Sequence, residues 1–185
     1  MPQRLATLPE IEAAVWEQLA AAVGETAHEW RTPVLATVNG EAADARTVVL
    51  REVDAREKQF LFYTDERAGK VAQVLNHPHG TVVMWSRKLS WQLRCHVRLA
   101  VEMSGLSASS RWARVRLTPA AQEYLSAMPP GTPLPDVIHR AGGEVPRDYF
   151  SVISAEVESI DWLELHRDGH RRAIFGAQGA RWVQP

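Results

Sequence analysis

The chain has 185 residues, 45% hydrophobic and 23% charged, a composition that fits one compact globular domain over 1–185 and excludes a disordered or low-complexity chain. A net charge of −1 gives no general attraction to nucleic acid or to an anionic membrane, and the single cysteine, Cys95, excludes an internal disulfide. No apolar run approaches the ~20 residues of a membrane span and Met1-Pro2-Gln3-Arg4 lacks the apolar core of a signal peptide, so a cytoplasmic protein is expected.

Thr7-Leu8-Pro9-Glu10 has the form of a capping box with an early proline, and Ile11, Val15, Leu19 and Ala22 recur at helical spacing, which predicts an amphipathic helix over about residues 8–23. Val34 to Val38 reads as a strand entering a tight turn at Asn39-Gly40, with Thr47 to Arg51 as the return strand. Phe60 to Thr64 is a third strand. Val71, Val74 and Leu75 place a short helix after Lys70, ended by Asn76-His77-Pro78, and Thr81 to Trp85 supplies a fourth strand. Leu89 to Met103 alternates well enough for one long strand. Ser107 to Met128 turns helical with a break near Thr118-Pro119, and Pro129 to Pro135 forms a loop. Phe150 to Leu165 and Arg171 to Val183 close the chain as strands with turns at Asp168-Gly169 and Gln178-Gly179.

Strands outnumber helices and are joined by short turns. The expected fold is therefore mainly β with peripheral helices, a closed or split antiparallel barrel, and the glycine-rich fingerprints of dinucleotide folds and P-loops are absent.

Three polar clusters stand on these short strands: Arg46-Thr47-Val48-Val49-Leu50-Arg51, then Tyr63-Thr64 leading to Lys70, then Trp91-Gln92. A strand holds an arginine in one direction, a second cation one connection later can converge on the same anion, and an amide can read the edge of a ring. Lys70 at a helix start adds free N–H groups and the helix dipole to its ammonium. This order and spacing resemble the FMN-binding split barrel of the pyridoxamine 5′-phosphate oxidase family, from about Pro33 to the C-terminus.

The resemblance implies FMN as cofactor, with phosphate and isoalloxazine contacts from Arg46, Thr47, Val48, Val49, Leu50 and Arg51, then from Tyr63, Thr64 and Lys70, and a hydrogen bond from Gln92. Trp162 and Arg172 keep the family's tryptophan-to-arginine spacing, which implies an aromatic wall and a further cation. Arg51, Arg116 and His170 match substrate-binding positions. The resemblance also implies a homodimer with FMN at the subunit interface and a small-molecule substrate or electron donor as the other partner, with neither nucleic acid nor membrane.

The chain departs from the oxidases at informative places. Gly69 stands where they carry an arginine beside the lysine, Trp112 replaces a tyrosine, and Pro129-Pro130-Gly131-Thr132-Pro133 stands where they have a Gln-Ser pair. Their C-terminal Arg-Leu-His-Asp-Arg signature reads Asp168-Gly169-His170-Arg171-Arg172, so a carboxylate replaces a substrate-binding cation. This points to a related subgroup with a different substrate.

Taken singly, each residue has a plainer explanation: Arg46 and Arg51 as exposed strand cations, Trp162 as a core aromatic, Cys95 as strand packing, Arg111, Arg114 and Arg116 as a solvated helix face. His77, His79, His166 and His170 lack the partners of a metal site, and none is expected. The reading is an FMN-dependent oxidoreductase in which the flavin carries the chemistry and no side chain is assigned a catalytic role. A flavin-binding or storage module without turnover is the alternative, and an anion- or nucleic-acid-binding barrel is the third reading.

Overall fold

A computed structural model describes residues 4–134 and 149–185. Helix α1 (Leu8–Gly24) begins with both halves of the capping box, Thr7 accepting from the Glu10 N–H and Glu10 accepting from the Thr7 N–H at 2.9 Å. Its apolar stripe of Ile11, Val15, Leu19 and Ala22 is fully buried, as the spacing requires. A short 3-10 turn, Glu29–Arg31, then buries Trp30.

Strand β1 (Val34–Asn39) turns at Gly40, whose φ of 62° suits a residue without a Cβ, and pairs with β2 (Ala42–Thr47) from Asn39↔Ala42 to Val34↔Thr47. The return strand is therefore Ala42–Thr47 and not Thr47–Arg51. The chain bends at Val48-Val49 and starts a separate strand, β3 (Leu50–Asp54), so Arg46 and Arg51 belong to different strands. Alanines 42, 43 and 45 conceal β2 because alanine has little strand preference.

The remaining elements follow the sequence reading: β4 (Gln59–Asp65), α2 (Gly69–Asn76), β5 (His79–Ser86), β6 (Trp91–Glu102), α3 (Gly105–Val115), a 3-10 turn at Pro119–Tyr124, β7 (Phe150–Glu164), β8 (Arg171–Gly176) and β9 (Gly179–Val183). All pairings are antiparallel, in the order β2-β1-β5-β6-β7-β4-β3, with β8 on β7 and β9 on β8. The barrel splits along β7. One edge of this strand pairs with β6 from Val152 to Glu164, whereas its other edge pairs with β4 from Phe150 to Glu156 and with β8 from Ser159 to Glu164. Opposite β6 the register shifts between Val157 and Ser159, which leaves Glu158 as the extra residue of a bulge.

The interior is built from Trp30, Leu35, Phe60, Phe62, Met84, Leu93, Ile153 and Trp162, closed by the buried stripe of α1. Gly80 is a fixed point of this packing: a Cβ there would lie 2.8 Å from the Ala36 carbonyl oxygen and 2.8 Å from Leu99 Cδ1. A smaller cluster of Leu61, Tyr124, Phe150 and Val152 sits under α3. Among the described residues, no helix is long and apolar enough to cross a membrane.

Candidate functional site

Strand alternation sorts the expected site residues into three groups. The first lies on the inner side of the wall, at the end of the barrel next to α2. Arg46 and Asp44 stand opposite Leu35 and Thr37 on β1 and share their inward face. Thr64 shares the inward face of β4 with Phe60 and Phe62. Helix α2 then delivers Lys70 and, three residues on and on the same helix face, Gln73.

In this corner Lys70 Nζ donates to Thr64 Oγ1 at 2.9 Å, and the lysine makes no ion pair among the described residues. Burial, then repulsion from Arg46, holds the Lys70 pKa below the ordinary lysine value, with Asp65 opposing weakly. Arg46 Nη1 donates to Leu35 O at 3.2 Å and Thr37 Oγ1 at 2.5 Å, while its Nη2 donates to Gln73 Oε1 at 2.9 Å and pairs with Asp44 at 2.5 Å. Asp44 is held below the usual carboxylate range first by the Gln73 amide, which desolvation opposes, and then by the charge and hydrogen bond of Arg46. The Gly69 position has nothing within 4 Å of a built Cβ, so the missing arginine leaves open space. Thr47 is exposed beside this corner, Val48 donates its N–H to Pro33 O at 2.9 Å, and Leu50 points into the core.

The second group stands on the outer face of β6, β7 and β8. Gln92 lies across from Trp85 on one side and Leu163 on the other, and Leu163 in turn pairs with Arg172. The Gln92 amide makes no hydrogen bond among the described residues. Arg172 grips Asp161 in bidentate fashion at 2.9 and 2.7 Å, and Arg94 closes on the same carboxylate. Burial of Asp161 alone would raise its pKa, but hydrogen bonds from Arg172 and Arg94 hold it below the usual range. Trp162 does not join this face. It is fully buried in the core, beside Leu93 and Ala173 and edge-on to Trp91 at 5.4 Å, because it points opposite to Asp161 and Leu163.

The third group faces α3. Tyr63, one pleat away from Thr64, donates to Glu52 Oε1 at 2.7 Å, and Arg51 lies 5.7 Å from its ring. Burial, reinforced by Glu52, pushes the Tyr63 phenol up to about 12. Arg111 and Arg114 both pair with Glu52, at 2.9 and 3.2 Å. A cleft of about 450 Å³ runs between Val23, Arg51, Tyr63 and Arg114. Arg116 lines a different cleft of about 330 Å³ with Trp112 and Phe150, and His170 lies exposed in the β7–β8 turn, where its Nδ1 accepts from the His166 N–H at 3.1 Å. Within one chain, then, Arg51, Arg116 and His170 do not converge. Neither cleft is lined by Arg46 or Lys70, nor is the cleft of about 480 Å³ between Trp16 and Phe175.

Residues 13–102, which contain Arg46, Thr64, Lys70 and Gln92, match the family described as pyridoxamine 5′-phosphate oxidase, FMN-binding domain. Over those residues the chain is similar to that domain. FMN is the cofactor the domain binds. No curated protein sequence matches the chain. Among solved structures, a pyridoxamine 5′-phosphate oxidase-related, FMN binding protein from Nostoc punctiforme PCC 73102 is similar over 99% of this chain and 100% of its own, with 21% identity and a TM-score of 0.70. PhzG from Burkholderia lata 383, solved in complex with tetrahydrophenazine-1-carboxylic acid, is similar over 96% and 92%, with 16% identity and a TM-score of 0.70. General Stress Protein 26 from Bacillus anthracis str. Sterne matches over 80% and 92%, with 15% identity and a TM-score of 0.51. At these identities the likeness establishes the split-barrel fold.

The donor chemistry of the inner corner fits the phosphate of FMN. Two cations face each other there, and among the described residues one is a half-buried ammonium bonded only to a hydroxyl while the N-terminus of α2 has no side-chain cap. Sequence reasoning misses Asp44, Gln73 and Thr37, which complete the corner. Gln73 had a signal in its three-residue spacing from Lys70, whereas Asp44 falls in the expected connection between Gly40 and Thr47 and carries no signal of its own.

Proposed function

We propose that this chain is an FMN-dependent oxidoreductase working as a homodimer, with Lys70, Thr64 and Arg46 at the cofactor phosphate and a substrate other than pyridoxamine 5′-phosphate. The observation that carries the cofactor geometry is Lys70, whose ammonium is desolvated beside the Arg46 cation and is itself bonded to no carboxylate among the described residues. Such an arrangement costs free energy until an anion arrives. When bound, FMN supplies a hydride-accepting and hydride-donating ring nitrogen. The chain's residues bind it, orient it and exclude water.

The outer sheet face supports the dimer. Trp85, Val34 and Val38 are 45%, 37% and 36% exposed on β5 and β1, next to the unbonded Gln92 amide. A continuous apolar strip of this kind is what a second copy covers. The inner corner and the Gln92–Arg172 row face opposite sides of the wall, so a partner packed on the outer face adds residues that one chain does not bring to its own corner.

The substrate reading rests on Asp168. It is exposed in the β7–β8 turn, 3.5 Å from His166 and 3.8 Å from Arg167, so the neighbouring arginine that could replace the lost cation is drawn to a carboxylate. Losing one charge-assisted contact to substrate costs about 1.5–3 kcal/mol, roughly ten- to a hundredfold in rate. Oxygen consumption with pyridoxamine 5′-phosphate is expected to be slow and to rise in Asp168→Arg. A kcat/KM matching that of an oxidase with the full signature contradicts this reading, and the absence of flavin reduction by NADH, NADPH or any organic donor favours the storage module instead.

A further inference from the structure

We propose that Asp44 is a built-in counter-anion for Arg46 which the FMN phosphate has to displace, so that Asp44 sets how loosely the cofactor is held. The inference rests on the FMN reading above and concerns a residue that no motif of the domain assigns.

A guanidinium has five N–H donors, and the two terminal nitrogens of Arg46 spend theirs on Leu35 O, Thr37 Oγ1, Gln73 Oε1 and Asp44 Oδ2. Only Nε–H remains for an incoming ligand. Three of these acceptors are neutral, and they come from the buried Leu35 and Thr37 and the half-buried Gln73. They fix the direction of Arg46 without help from a charge. Asp44 is different: it is the one charged acceptor of the four, and its side chain is 45% exposed. It occupies the solvent-facing flank from which an anion would approach.

Gln73 completes the device by accepting from Arg46 and from Thr37 (2.6 Å) at its oxygen and donating to Asp44 Oδ2 at 2.9 Å through its amide nitrogen. The carboxylate is thus held against Arg46 by the Gln73 amide as well as by the guanidinium, and an arriving phosphate has to overcome that hold. Arg46 and Lys70 offer two positive charges to a phosphate dianion, and Asp44 cancels one of them. With Gly69 in place of an arginine, the corner keeps a net charge of one where an arginine at that position would give two. A cofactor held this way exchanges with the free pool.

The two roles open to Asp44 predict opposite signs. If it is a strut that orients Arg46, removing its charge weakens FMN; if it is a competitor, removal tightens FMN. The test is a fluorescence titration of the full chain and of Asp44→Asn and Asp44→Ser with FMN and, in parallel, with riboflavin, which lacks the phosphate. The expected result is about three- to tenfold tighter FMN binding in both variants with riboflavin unchanged. Unchanged or weaker FMN binding in the folded variants overturns the proposal, and so does an equal gain for riboflavin, because the effect would then not act at the phosphate. Failure of the unaltered chain and both variants to bind FMN overturns the FMN reading itself, and it is recognised by the loss in the unaltered chain rather than by the lack of a difference between proteins.

Discussion

Lys70 Nζ donates to Thr64 Oγ1 at 2.9 Å, tying the first turn of α2 to the penultimate residue of β4. The bond leaves two ammonium protons free at a point where burial and Arg46 both disfavour the charge. An anion at this point relieves both effects, and the following expectations start from it.

Lys70→Ala is expected to weaken FMN binding by about 1.5–3 kcal/mol, the range for a hydrogen bond to a charged group, with little change in melting temperature. Arg46→Ala differs, because Arg46 also ties β2 to β1 and α2 through Leu35, Thr37 and Gln73. It should lose stability as well as affinity. Flavin titration and thermal melts of both variants separate the two patterns, and equal melting losses would show that Lys70 is structural too.

Gly69→Arg should tighten FMN binding. The position is exposed, its built Cβ meets nothing within 4 Å, and it opens α2. Replacing glycine in the first turn removes a backbone entropy cost, and the guanidinium adds a donor beside Lys70. An affinity gain of at least about threefold, near 0.65 kcal/mol, is expected by titration. A loss of affinity would mean that the open space faces away from the cofactor.

Much of this was legible in sequence and some was not, for physical reasons. The capping box at Thr7 and the stripe from Ile11 to Ala22 are local signals, and α1 follows them residue by residue. Lys70 at a helix start was equally local. Strand β2 was hidden because alanines carry no alternation, which moved the expected return strand to Thr47–Arg51. Trp162 is a parity error: β7 is buried on both faces along much of its length, so the sequence does not show which face a residue takes, and Trp162 turns inward while Asp161 and Leu163 turn out. Tyr63 and Thr64, adjacent in sequence, are separated for the same reason, with Tyr63 going to Glu52 and Thr64 to Lys70. The pairing of Asp44 with Arg46 depends on register across β1 and on α2, which no local pattern encodes.

The Asp161 cluster predicts acid lability. Asp161 is held below the usual carboxylate range in the folded chain, against ~3.9 when unfolded. A depressed folded-state value means that the stabilisation is fully present above the unfolded value and is lost as pH falls through the lower folded value. Melting temperatures should therefore drop steeply below about pH 4, and the drop should be shallower in Asp161→Asn, which has no charge to lose. The same steepness in both proteins would place the acid-sensitive group elsewhere, for example at Glu52 or Glu164, which also have lowered values.

Assembly offers a further check. Sedimentation should give a particle of twice 20.7 kDa, and Trp85→Glu, which places a charge on the exposed apolar strip beside Gln92, should yield monomer with weakened FMN binding. A 20.7 kDa species that holds FMN as tightly as the unaltered chain would show that one copy completes its own site.

The central claim, that this barrel takes up FMN through the Lys70 corner, is tested most directly by titrating the flavin-free chain with FMN, riboflavin and FAD and by weighing the ligand released when freshly purified protein is heated. The predicted result is release of FMN, and binding of FMN well above riboflavin with the difference largely erased in Lys70→Ala. Release of FAD, or equal affinity for FMN and riboflavin in the unaltered chain, would contradict it.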